Sequence, residues 1–323
     1  MASAPSVEAV VAAGGPHIPP LLAALEERLA ALAAGHGDVV SRHAGDTIAA
    51  GGKRLRPLLV FVVAGPGAEP ERVLRSAAAV ELVHSATLVH DDVLDAADLR
   101  RGRPTVVAAA GRGVATATGD VLFSRAFAEL ARNRRPEEVR VLSAASCALA
   151  EGELLQRADA WDAGVAVERY LRRCELKTAR LFEAACRLGA LAGGAGGDDA
   201  LGAFGRSVGL AFQLLDDVLD VCGPSSRTGK PRGADLLDGT VTLPLILARE
   251  RDPGLARVDL RSIDSVPRAE ALCDRIAATG ALDDARRRAL RLVSEAKDAL
   301  PDLPDAQRRA LELAADGVVE RYA

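Results

Sequence analysis

The chain has 323 residues, 49% of them apolar but only 3% aromatic, and its 41 basic and 45 acidic side chains leave a net charge of −4. That length can bury a large core, and a nearly balanced charge with no basic stripe interleaved by aromatics argues against nucleic-acid binding. Richness in Ala, Leu, Arg and Glu suits packed helices much better than sheets, so an all-α fold with almost no strand is expected. In chain order, apolar residues recur at three- and four-residue spacing over 18–34, 71–97, 116–131, 136–158, 165–191, 200–221 and 243–250, each read as helix. The segment 282–322 adds two more, broken near Pro301 and Pro304, and Gly/Pro/Asp punctuation falls at 65–70, 193–199 and 223–233. No repeat or linker divides the sequence, so residues 1–323 read as one helical domain around a central cavity. Apolar runs such as 58–65 are too short to span a bilayer and no charged leader precedes an apolar stretch, so no transmembrane segment and a cytoplasmic location are expected. Five cysteines without Cys-x-x-Cys spacing read as buried free thiols.

The pentapeptide Asp-Asp-Val-Leu-Asp occurs twice, at Asp91, Asp92 and Asp95 and again at Asp216, Asp217 and Asp220, each time closing a long apolar helical pattern. On a helix the first and last aspartates stand at i and i+4, on one face a turn apart. One such motif is more often a solvated helix end than a metal site. Two copies, each after a helix apolar nearly all round and therefore central, reverse that reading. Carboxylates gathered at one cavity repel one another and raise each other's pKa values unless hard divalent cations and a polyphosphate supply the missing partners. Magnesium with diphosphate meets that need.

Cations complete the picture. Gly51-Gly52-Lys53-Arg54-Leu55-Arg56-Pro57 is a basic cluster at the start of a helical segment, suited to holding a diphosphate. Arg100, Arg101 and Arg103 follow the first acidic motif, and Lys177-Thr178, Phe212-Gln213 and Lys230 accompany the second. The chain has only four lysines, so most of its cations are arginine, and Lys53, Lys177 and Lys230 all fall in these segments while Lys297 does not. Without neighbouring motifs the arginines would be a solvated turn, His84 a satisfied core histidine, and Glu151, Glu153 and Gln156 a polar helix face. No nucleophile elbow, P-loop or zincin motif is present, so hydrolase and NTPase readings lack residues to carry them.

With these residues in view, the chain resembles the trans-type polyprenyl diphosphate synthases over nearly its whole length. The resemblance rests on the basic cluster 51–57, Glu81 to His84, His90 to Asp95, Leu99 to Gly102, Gly119-Asp120, Glu151 to Gln156, Lys177-Thr178, Phe212 to Asp220 and Thr242 to Pro244, in the family's order. It implies an isoprenoid synthase-type helical bundle, a homodimer, and magnesium-dependent head-to-tail condensation of isopentenyl diphosphate with an allylic diphosphate. It further implies that Asp91 and Asp95 bind two magnesium ions and Asp216 a third, with Asp92, Asp217 and Asp220 as further ligands or supports. Lys53, Arg56, His84 and Arg101 would hold isopentenyl diphosphate; Arg100, Lys177, Gln213 and Lys230 would contact the allylic diphosphate, with Thr178 near the reacting carbon. One departure stands out: Thr240 occupies a place where the family often has lysine, and Arg232 is a candidate replacement.

Ala86 and Thr87, a turn below Asp91, carry no aromatic that would block a growing chain, which favours a long product of heptaprenyl to decaprenyl length. Phe123 and Phe127 could form a lower floor, which keeps geranylgeranyl in view. A terpene cyclase would replace the second aspartate cluster and would not need Lys53, Arg56 and Arg101. A non-catalytic synthase subunit would have lost carboxylates, and all six are present.

Overall fold

Apolar helices rich in alanine and leucine build the structure, a computed structural model that describes residues 7–35, 37–100, 102–194, 196–223 and 231–320. Its helices of eight residues or more are α1 (Val7–Gly14), α2 (Ile18–Ala33), α3 (Asp38–Ala49), α4 (Leu55–Ala64), α5 (Pro70–Leu94), α6 (Val106–Ala131), α7 (Pro136–Ala158), α8 (Val167–Cys174), α9 (Arg180–Gly193), α10 (Asp198–Cys222), α11 (Leu243–Arg251), α12 (Val266–Ala278), α13 (Ala281–Asp298) and α14 (Asp305–Glu320). Among the described residues the only strands form a two-residue hairpin, β1 (Leu99–Arg100) and β2 (Arg103–Pro104), with Leu99 opposite Pro104. The all-α expectation holds. Helices α1, α3, α4 and α12 lie outside the segments that periodicity marked, although the basic cluster 51–57 pointed to α4, and the helix expected over 165–191 is divided by a π-helical turn, Glu175–Ala179.

The chain forms two compact units from interleaved segments: Met1–Ser146, Leu181–Gly205 and Ala299–Gly317 make the first, Cys147–Arg180, Arg206–Asp298 and Val318–Ala323 the second. In the first unit, Leu25, Leu29, Leu58, Phe61, Leu82, Leu122 and Phe182 are fully enclosed. Helix α5 is buried along most of its length, including the small stripe Ala77, Ala78 and Ala79, which suits a central position. Charged pairs fasten its start: Arg28 of α2 reaches Glu71 at 2.8 Å and also Glu129 of α6, and Arg72 holds the buried Glu138. Gln307 of α14 donates to the Val62 and Val63 carbonyls at the end of α4.

Helix α6 amends one expectation. Its 26 residues, with mean hydropathy 1.2 in the most apolar window, are by length and composition enough to cross a bilayer. The periodicity showed only its second part because Gly111, at φ 81° and ψ 169°, kinks the helix and breaks the pattern. Helix α6 also carries Arg112, Asp120, Arg125 and Glu129.

In the second unit the fully enclosed Tyr170 of α8 anchors the core with Leu214, Leu243, Cys273 and Ile276. Arg173, also buried, bonds the Val241 carbonyl and lies 3.5 Å from Asp159. All five cysteines are free, as the spacing suggested; Cys174, Cys186 and Cys273 are buried, whereas Cys147 and Cys222 are exposed.

Candidate active site

Both acidic pentapeptides lie where a helix ends. Glu69 caps α5 by accepting from the Arg72 amide at 3.1 Å, and Pro70 opens the first turn. At the other end no basic residue occupies the last turn of α5, and the Asp95 amide donates to the Asp91 carbonyl at 2.8 Å. The last turn of α10 carries Asp220 and likewise has no basic residue, and Asp216 and Asp217 stand about one turn before it. A helix C-terminus bears partial negative charge, so an aspartate there costs roughly 0.3–1 kcal/mol where a lysine would gain it. Three aspartates at each end set up a demand for cations that the helix itself does not meet.

In the first unit, Asp92 is 4% exposed and accepts from Arg100 Nε at 2.8 Å and Nη2 at 2.7 Å, whereas Asp95 is exposed and Asp91 half-buried. Arg100 therefore serves Asp92, and the pair lines a cavity of about 350 Å³ with Thr47, Leu88, Arg103 and Val106. Asp95, Asp91, Thr87 and His84 follow one another at i−3 and i−4 steps, so they share one face of α5. Ala86 does not share it. It stands with Leu82, Val83 and Val89 on the buried side and is 0% exposed, which corrects the expectation that it lines an open channel. Thr87 is half-buried and donates to the His84 carbonyl at 2.8 Å. Phe123 stacks on His90 with ring centroids 5.7 Å apart, beside the acidic end.

The basic turn precedes α4. Arg54 adopts φ 47° and ψ 36°, a left-handed conformation that costs a non-glycine residue about 1–2 kcal/mol. Its buried guanidinium is held by Glu26 at 2.7 and 3.0 Å, Glu81 at 2.7 Å and the Ile48 carbonyl at 3.0 Å. Lys53 is exposed; Arg56 is half-buried with its guanidinium 4.5 Å from the Phe182 ring centroid. Burial pushes the Arg56 guanidinium down to about 10, against the pull of Glu81, so it stays charged at neutral pH.

In the second unit, Asp216 is exposed and Asp220 half-buried, but Asp217 is 4% exposed. Tyr170 donates to Asp217 Oδ2 at 2.6 Å, Gln213 Nε2 donates to its Oδ1 at 2.7 Å, and Gln213 Oε1 accepts from Thr178 at 2.7 Å. Burial, with the charges of Asp235 and Asp216, pushes the Asp217 carboxyl up to about 8, while the bonds from Tyr170 and Gln213 oppose the shift. Thus Asp217 is a support that ties α8, the π turn and α10 together, and Gln213 is committed to that chain. Nothing in the residue pattern marks Tyr170, whose role appears only in its bond to Asp217.

Lys177 and Thr178 occupy the π turn, and such turns are frequent at functional sites. Lys177 Nζ pairs with Glu153 of α7. Gly152 lets α7 lie against that turn, since a Cβ there would sit 2.5 Å from the Lys177 amide nitrogen. Glu153, read from sequence as part of a polar helix face, and Gly152 are the neighbours that fix Lys177. Arg232, the candidate replacement for a missing lysine, bonds the Val221 carbonyl and Asp274 at 2.7 Å. Arg101 and Lys230 lie outside the described residues.

Among the described residues no three His, Cys, Asp or Glu side chains cluster closely enough to hold a metal alone. Paired hard carboxylates, with phosphate oxygens and water filling the remaining places, are a usual setting for magnesium. The donor set fits.

An all-helical chain with two acidic helix ends and a basic turn suited to phosphate is a diphosphate-handling transferase in outline. Residues 38–274 match the polyprenyl synthetase family model, and the chain belongs to that family, which makes it a prenyltransferase acting on isoprenoid diphosphates. It is 43% identical over 230 residues to heptaprenyl diphosphate synthase component 2 of Geobacillus stearothermophilus, covering 70% of this chain and 72% of that one. It is 37% identical over 284 residues to geranylgeranyl diphosphate synthase of Methanosarcina mazei, covering 84% and 86%. Among solved structures, the polyprenyl synthase of Caulobacter crescentus CB15, complexed with calcium and isoprenyl diphosphate, superposes with a TM-score of 0.92 over 100% of both chains at 35% identity.

Proposed function

We propose that the protein condenses isopentenyl diphosphate with an allylic diphosphate, head to tail, to give a long-chain trans-polyprenyl diphosphate of heptaprenyl to decaprenyl length. The observation that carries this is the pair of long helices, α5 and α10, that each end in three aspartates with no basic residue in the last turn. Asp91, Asp95 and Asp216 are the proposed magnesium ligands, with three ions per site; Asp92 and Asp217 orient the ends through Arg100, Tyr170 and Gln213. Magnesium would neutralise the diphosphate and make it a good leaving group. The allylic carbon–oxygen bond breaks to leave a delocalised carbocation, and the double bond of isopentenyl diphosphate attacks it. The departing diphosphate removes the proton, so no side-chain base is required. Lys53, Arg56, His84 and Arg101 are assigned to isopentenyl diphosphate; Lys177 and Lys230 to the allylic diphosphate, with Thr178 near the reacting carbon.

The long product is supported by the heptaprenyl relative and by the absence of Phe, Tyr or Trp on the half-buried face of α5 below Asp91. The geranylgeranyl relative keeps a shorter product as the second reading. The interleaving of the two units' chain segments favours a single catalytic domain, working in the cytoplasm as a homodimer. Because one relative is named a component, the purified chain alone is the right material for the test.

Incubation with labelled isopentenyl diphosphate, magnesium and a series of allylic starters, followed by chromatography of the dephosphorylated products, should show extended chains. Activity should vanish on chelation of the metal and return when magnesium is restored. Asp91→Ala or Asp216→Ala should lower turnover by at least roughly a hundredfold while thermal stability is unchanged or rises, because each relieves like-charge repulsion at a helix end. Elongation with no starter, or full turnover in both variants, would overturn the assignment.

A further inference from the structure

We infer that Arg54, which contacts no substrate in the proposed mechanism, is the positioning residue that keeps Arg56 available for a diphosphate. The inference rests on the reading above that Lys53 and Arg56 bind isopentenyl diphosphate. Glu26 and Glu81 are the carboxylates that meet Arg54. Arg54 engages both, presenting Nε and Nη2 to the two oxygens of Glu26 and Nη1 to Glu81, while Nη2 also reaches the Ile48 carbonyl. Such a fork fixes a carboxylate in both distance and plane.

Arg56 is treated differently by the same surroundings. Its nearest acidic influence is also Glu81, yet its Nε is enclosed and makes no hydrogen bond. It is held instead by packing over Phe182, at 4.5 Å from the ring centroid, a contact that restrains the guanidinium without consuming its N–H groups. An enclosed guanidinium beside an acidic neighbour ordinarily collapses into a salt bridge with it. Here Arg54 occupies that neighbour first. The left-handed backbone at φ 47° is what allows two arginines only two residues apart to serve different partners, and the four bonds of Arg54 hold that conformation in place.

Two points separate this from a general stabilising role. The ion pair lies in the core of the first unit, with Glu81 5% exposed, so any stability it adds is non-specific to substrate. Sequestration of Glu81, in contrast, makes a specific demand: removing Arg54 should harm isopentenyl diphosphate binding only while Glu81 keeps its charge.

The test uses the full chain. Arg54→Asn suits the left-handed conformation while deleting the guanidinium. It should raise KM for isopentenyl diphosphate roughly tenfold, the value of about one charge-assisted contact, with kcat and the KM for the allylic diphosphate within about twofold of the parent. Adding Glu81→Gln to that variant should return KM for isopentenyl diphosphate to within about threefold of the parent, because the competing carboxylate is gone. A double variant no better than the single one, or a single variant that weakens both substrates equally, overturns the inference. If Arg54→Asn does not fold, Glu26→Gln at the half-exposed end of the clamp decides: it should selectively raise KM for isopentenyl diphosphate about two- to threefold, and no change counts against the proposal. Arg56→Ala separates the two levels. If Arg56→Ala leaves isopentenyl diphosphate binding untouched, the underlying assignment fails; if it weakens binding while the double variant shows no rescue, only the role of Arg54 fails.

Discussion

At Lys177 a cation picked out by its rarity proves to be half of an ion pair. Its ammonium meets Glu153, and the same carboxylate accepts from Arg157 Nε at 2.8 Å. Burial alone would push the Glu153 carboxyl up, but Lys177 and Arg157 outweigh that and hold it below the usual carboxylate range. A carboxyl with a depressed folded pKa adds stability above its unfolded value of about 4.3, and that contribution is lost as pH falls through the folded value. Glu153→Gln should therefore lower stability at pH 7 by about 1–2 kcal/mol, read as a drop in Tm, and the gap to the parent should close as the pH is taken below about 4. A gap of undiminished size at pH 3 would show that charge pairing is not its source. Lys177 was legible because lysine is scarce and stands beside threonine in a recognisable motif. Glu153 was not, since a glutamate on a polar helix face carries no mark of the partner it will meet 24 residues later. Asp217 shows the same limit: its motif announced a carboxylate, but only coordinates reveal that Tyr170 and Gln213 claim both of its oxygens.

Helix α5 meets α6 where Gly119 passes the ring of His90 so closely that an added Cβ would overlap it. Phe123, one turn further along α6, stacks on the other part of that ring. The acidic end of α5 is thus set against α6 by one glycine and one aromatic. Gly119→Ala should force the helices apart and destabilise the protein by roughly 1–3 kcal/mol. Shortening the ring in the same chain, with Gly119→Ala and His90→Ala combined, should recover at least about 1 kcal/mol relative to the sum of the single changes. Urea unfolding of the four proteins gives that coupling directly, and simple additivity would mean the contact does not set the spacing. Helices α5 and α10 were readable because they are apolar on most faces and close on a repeated motif. Helix α3 was not, because Ser41, Arg42, His43, Asp46 and Thr47 leave too thin an apolar stripe. The π turn was equally silent, for one extra residue in a helix has no propensity of its own and is imposed by packing, here by Gly152 against Lys177.

For the molecule as a whole, the reaction and a long product were legible, whereas the side chains that face the growing chain were not. Repeated carboxylates and clustered cations announce diphosphate chemistry because charge must be balanced wherever the chain folds. On the proposed mechanism the face of α5 below Asp91 meets the growing chain, and adjacent residues of a helix stand on different faces, so Ala86 and Thr87 are not interchangeable there. Ala86 illustrates it: wholly enclosed beside Leu82, Val83 and Val89, it would receive a phenyl ring only by overpacking, at about 1–3 kcal/mol, so a shorter product from Ala86→Phe would be confounded by damage to the core. Thr87 is half-buried and lies on the face that carries His84 and Asp91. Thr87→Phe should therefore shift the product distribution toward shorter chains with Tm within a few degrees of the parent. Phe123→Ala acts in the opposite sense if that ring closes the path lower down, lengthening the product; its stacking on His90 means it should also cost stability. Chromatography of the dephosphorylated products from the two variants separates the cases. Shortening by Thr87→Phe with no response to Phe123→Ala would place the whole control on α5, whereas an unchanged distribution in both would remove it from this face of the helix and from its neighbour on α6.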